Sequence, residues 1–87
     1  MTEQQLREIE ARCKAATAGP WVSCVEGRDH ESGSNFIMTG PRNDRGPDIE
    51  LSGATIADQE FMARARQDVP ELLSEVCRLK AFLGKGN

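Results

Sequence analysis

Three rhythms of apolar and polar positions divide these 87 residues. Over residues 3–16 the apolar positions Leu6, Ile9, Cys13 and Ala16 step by three, four and three. That spacing draws one narrow stripe on a helix, with Arg7, Glu8, Glu10 and Lys14 on the far side. Thr2 and Gln5 form a capping-box pattern, and Glu3 and Lys14 lie where the helix dipole favours an acid and a base. Gly19 and Pro20 end the helix. A stripe this narrow suits a helix–helix seam better than a sheet contact.

The middle of the chain is β-prone and broken by turns. Trp21 to Glu26, Asn35 to Thr39 and Asp48 to Ser52 read as three short strands. Alternation is cleanest in the third, where Ile49 and Leu51 face one way and Asp48 and Glu50 the other. Polar loops at 27–34 and 40–47 separate them, so an antiparallel meander over 21–52 is the simplest sheet. The helical period returns at 55–66, with Phe61, Met62 and Ala65 on one side and Arg64 and Arg66 at the end. Asp68-Val69-Pro70-Glu71 then predicts a fresh start: Asp68 as N-cap, Pro70 in the first turn and Glu71 completing the box. In the helix this opens, 69–83, Leu72, Val76, Leu79 and Leu83 step by four, three and four. Gly84 and Gly86 predict a frayed tail at 84–87. The pattern is that of one α+β domain spanning 1–87. It has an N-terminal helix, a three-stranded antiparallel meander and two C-terminal helices packed on one face.

Composition adds a constraint on assembly. Apolar residues make up 38% of the chain, with three Phe and one Trp. A chain of this length hides only about 60–65% of the surface its unfolded form exposes. Small domains with thin cores gain stability by oligomerising. The row Leu72, Val76, Leu79, Phe82 and Leu83 is accordingly assigned to a homo-oligomer contact. The net charge of −3 provides no basic footprint for duplex DNA or an anionic membrane. Cys13, Cys24 and Cys77 are widely spaced and form no CxxC, which argues against a disulfide framework or a structural zinc. Cys13 and Cys77 fall on apolar helix faces and are expected in the core. The polar N-terminus lacks a signal-peptide pattern, and no apolar run reaches the ~20 residues that span a bilayer. A cytoplasmic protein is expected.

Little here points to catalysis. His30 is the only histidine, in an exposed loop beside Asp29 and Glu31. A general base held by a carboxylate is the alternative reading of it. There is no nucleophile elbow and no second histidine for a metal site, so neither enzyme activity nor a cofactor or metal is expected. The pairs Asp58/Glu60 and Asp48/Glu50 are explained by a helix N-terminus and a solvated strand face. The loop Gly40–Pro47 carries Arg42 and Arg45 between stiff Gly-Pro ends. Arginine forks match phosphate oxygens, and Arg28 and Asn35 would lie nearby if the hairpins stack. These four residues, with Trp21 stacking, form the candidate site for a phosphate-bearing ligand. An ordinary charged hairpin, and a Trp21 that anchors the core, are the alternatives.

Two segments carry a family resemblance. Ala15-Ala16-Thr17-Ala18-Gly19-Pro20-Trp21 resembles an Ala-Thr-Pro-Gly-Pro-Trp signature, departing from it at Ala18. The run from Asp58 to Leu73, containing Ala63-Arg64-Ala65-Arg66-Gln67-Asp68-Val69-Pro70-Glu71-Leu72-Leu73, resembles Ala-Asp-Phe-Ile-Ala-x-Ala-Arg-x-Asp-Val-Pro-x-Leu-Leu. Together they resemble the Ead-type early-region accessory proteins of tailed phages and prophages. The likeness covers roughly a third of the chain and corresponds to the core module, without the long coiled-coil extension of many members. It implies an accessory phage protein acting in the cytoplasm of an infected bacterium, with no catalytic residue to carry over. The expected function is a non-enzymatic binding protein that counters a host process, most plausibly a defence pathway. It would sequester a nucleotide-like immune signal within a small oligomer, or cap a host protein. The alternative is a regulatory module of phage development acting through host proteins or nucleic acid.

Overall fold

A computed structural model describes residues 1–85. In chain order it contains α1 (Glu3–Ala15), β1 (Trp21–Cys24), β2 (Phe36–Thr39), β3 (Ile49–Glu50) and α2 (Ile56–Lys85). The architecture is α+β, with an N-terminal helix, a three-stranded antiparallel sheet in the order β1-β2-β3 and a C-terminal helix.

Helix α1 begins as its sequence dictates. The Thr2 hydroxyl accepts from the Gln5 backbone N–H at 3.1 Å, and the Gln5 side chain accepts from the Thr2 N–H at 2.7 Å. Its end comes earlier than Gly19. Ala16 is already extended, and its N–H closes the last turn on the Arg12 carbonyl. The segment 17–20 then turns the chain into β1 through a cis Gly19-Pro20 bond.

Strand pairing sets Trp21 opposite Thr39 and Ser23 opposite Ile37, and Ile37 opposite Ile49. Directly opposed residues share a face, so these five point to one side of the sheet. That side takes α2: Ile37 is fully buried and Ala63 of the helix is 2% exposed, while Thr39, also fully buried, donates to the Pro47 carbonyl at 2.7 Å. The small Ala63 side chain lets the helix approach the sheet closely. Phe36 and Met38, consecutive with Ile37, necessarily face the other way. The 25–35 connection folds back over Phe36, bringing the His30 ring to 4.8 Å from it.

Two helices expected at 55–66 and 69–83 are a single helix of 30 residues, with Pro70 inside it. Asp68 does not cap a new start. Its carboxylate instead meets Arg64 one turn earlier, at 3.3 Å. Capping-box chemistry and an interior Asp-Val-Pro-Glu are indistinguishable by residue type. Strong helix formers on both sides, from Ala63 to Gln67 and from Glu71 to Leu73, carry the helix through. Of the residues expected in a frayed tail at 84–87, Gly84 and Lys85 belong to α2, and 86–87 lie outside the described residues. Helix α1 packs on α2 and not on the sheet. Cys13 is half-buried in that contact, and Cys77 is exposed instead of lying in the core.

Candidate functional site

The turn before β1 and the middle of α2 build one locus around Trp21. Its indole N–H donates to the Thr17 carbonyl at 3.0 Å, which fixes the ring against the turn. The backbone N–H of Trp21 donates to Gln67 Oε1 at 3.0 Å, and Gln67 Nε2 donates back to the Trp21 carbonyl at 3.3 Å. Arg66 Nε joins the indole on the Thr17 carbonyl at 2.9 Å. One turn of α2 thus reads the backbone of 17–21 directly. Two helical turns earlier, Gln59 repeats the device. Its buried Nε2 lies 2.7 Å from Ser23 Oγ and 3.2 Å from the carbonyls of Cys24 and Phe36. An amide has two N–H groups, so three acceptors share them. Gln59, Ala63 and Gln67 form an i, i+4, i+8 line, which is how a helix covers the polar edge of β1.

An open groove of about 230 Å³ lies beside this locus, between α1 and α2. Its walls are apolar, from Ile9 and Cys13 of α1, Trp21, and Met62 and Val69 of α2. Arg12 and Arg66 also line it, with Arg66 Nε held on the Thr17 carbonyl. Trp21 is half-buried: its indole N–H holds the turn, and the residue also lines the groove.

The loop residues assigned to phosphate binding are not gathered here. Arg28 is engaged by Asp29 at 2.9 Å and by Glu60 of α2, and these two carboxylates raise its pKa. Asn35 Oδ1 accepts from the Glu26 N–H at 2.8 Å. Arg45 donates to the Gly40 carbonyl at 3.1 Å. Arg42 is exposed, with no hydrogen bond or ion pair among the described residues. Asn35 and Arg45 each close their own loop, and Arg28 ties its loop to α2. Asp29 is central to the first loop: Arg28 and the Val25 N–H, at 2.7 Å, hold its carboxyl below the usual range.

His30 is part of that same loop packing rather than an exposed side chain. Its Nδ1 accepts from the Ser32 N–H at 3.0 Å, while its Nε2 is buried without a partner. No group of three or more His, Cys, Asp or Glu is placed to hold a metal among the described residues. Burial, then the nearby Asp29 and Asp48 charges, push the Cys24 thiol up, so it is a packing residue and a poor nucleophile.

The oligomer-assigned positions lie on the outer length of α2. Leu72, Val76, Leu79, Phe82 and Leu83 are all exposed. Gln59, Gln67 and Arg12 escape a reading based on chemical motifs. The signal was the Gln-x3-Ala-x3-Gln spacing, which sets two amides and one small residue on a single helix face. Compared with protein-family models, with curated proteins and with solved structures, the chain matches none of them.

Proposed function

We propose that the chain is a phage-encoded, non-enzymatic binding protein that counters a host process by capping a host protein. The groove beside Trp21 carries this reading. Its walls are almost wholly apolar and Arg12 is among the residues that line it, a chemistry that receives a bulky apolar side chain with an acid beside it. The two segments that resemble the phage early-region proteins support it from another side. They are the two partners of this locus, joined by Gln67 to Trp21 and by Arg66 to Thr17. Capping is preferred to trapping a nucleotide because Arg28 is engaged by Asp29 and Glu60, Asn35 by the Glu26 N–H and Arg45 by the Gly40 carbonyl.

Peptide display against the immobilised protein, followed by titration of the Trp21 fluorescence, tests the proposal. Enriched peptides are expected to pair a large apolar residue with an acid and to shift the emission. Arg12→Glu should weaken them about tenfold, the equivalent of roughly 1.4 kcal/mol. Saturable binding of cyclic nucleotides, with no peptide enriched, would overturn it in favour of sequestration.

A further inference from the structure

We infer that the side chain received by the Trp21 groove is an aromatic with its own hydrogen-bond donor, a tryptophan or a tyrosine, set beside an acid in a partner protein. The inference rests on the groove reading and deepens it, from a bulky apolar anchor to one of stated polarity.

Pro70 is the observation behind it. It lies inside α2 and lines the groove together with Arg66, one turn earlier. Residues four apart share a helix face, and the carbonyl of the first points along the axis at the N–H of the second. Proline has no N–H, so the Arg66 carbonyl lacks the donor that an interior carbonyl of a helix ordinarily has. No side chain among the described residues takes that donor's place. Two N–H groups of the locus are already committed, since the Trp21 indole and Arg66 Nε both donate to the Thr17 carbonyl. Met62, Arg66 and Pro70 follow at i, i+4 and i+8 along the wall, so the stretch of helix bearing the orphan carbonyl belongs to the groove.

Volume and charge narrow the occupant. An apolar cavity of ~150 Å³ takes benzene. The groove, at about 230 Å³ and open on one side, accepts the larger indole or phenol. Arg12 lines the same groove, is exposed and makes no ion pair among the described residues, which leaves it to meet the acid beside the ring. A guest without a donor strips water from the Arg66 carbonyl and returns nothing. Leaving that hydrogen bond unmade costs more than a typical one contributes. Phenylalanine fills the same space and is selected against for this reason.

Matched peptides, titrated into the full chain by calorimetry, test the inference. Two glutamate-flanked peptides carry a central tryptophan or its isostere benzothienylalanine, in which sulfur replaces the N–H. A second pair carries tyrosine or phenylalanine. The donor-bearing member of each pair is expected to bind about tenfold tighter. Pro70→Ala returns an N–H to the Arg66 carbonyl and keeps the helix, and is expected to level each pair. Apolar wall lost with the proline ring weakens both members alike, so the ratio isolates the hydrogen bond. Equal affinities in the wild type, or a preference that persists in Pro70→Ala, would overturn the inference and leave a groove that selects by shape and charge alone. Binding of none of the four peptides would overturn it together with the groove reading.

Discussion

Gln67 shows how much a single side chain does in this protein. Its amide accepts from one backbone N–H of Trp21 and donates to that residue's carbonyl, taking the place of a missing neighbour strand at the edge of the sheet. Gln67→Ala leaves that half-buried N–H without an acceptor. The expected loss is about 1–3 kcal/mol, the desolvation cost of an unpaired buried group. Chemical denaturation with an unchanged m-value would register it. A loss within error of zero would mean that water replaces the amide. Such roles were hardly legible in the sequence. A glutamine on a helix is by default a solvated residue, and only the spacing of Gln59, Ala63 and Gln67 hints that all three face inward. The arginines misled in the opposite sense. Arg28, Arg42 and Arg45 share one residue type, yet only Arg42 stands clear of the local backbone and carboxylates.

At the scale of elements, the α1 cap and the three strands followed from pattern, because capping pairs and alternation are local chemistry. The continuity of α2 did not, because a proline with acids around it fits both the first turn and the interior of a helix. Interior placement has a cost. Pro70 has no N–H to donate to the Arg66 carbonyl one turn back, and its ring crowds that carbonyl. Pro70→Ala is therefore expected to stabilise the protein by about 1–3 kcal/mol, the interior penalty of proline. A thermal melt compares the two directly. An unchanged or lower midpoint would show that Pro70's contact with α1 along the groove offsets the backbone penalty. Leu72, Val76 and Leu79, assigned in the sequence to an oligomer contact, have the spacing of a buried stripe, yet they are exposed in the single chain.

The molecule is elongated, 57 × 27 × 19 Å, and among the described residues its buried apolar set is small: Leu6, Cys24, Val25, Ile37 and Ala63. With so little core, the polar ties that close the loops weigh more in its stability, and their protonation becomes a property of the whole fold. Most of the ion pairs are exposed and contribute little, as Lys14–Glu10 on the surface of α1 illustrates. Asp29 differs because its carboxylate also holds the Val25 N–H next to the buried end of β1. Arg28 and that N–H lower its pKa in the folded state. A carboxyl depressed on folding adds stability above its unfolded pKa of about 3.9, and that stability is lost as the pH falls through the folded value. Asp29→Asn retains an oxygen for Val25 but cannot ionise. Its stability deficit against the wild type should be full at neutral pH and close progressively below about pH 4, as the wild-type carboxyl protonates. Denaturant titrations of both proteins across that window measure the gap. A gap that stays constant into acid would show that the Asp29 carboxylate contributes shape and a hydrogen bond to the loop but no charge-dependent stability.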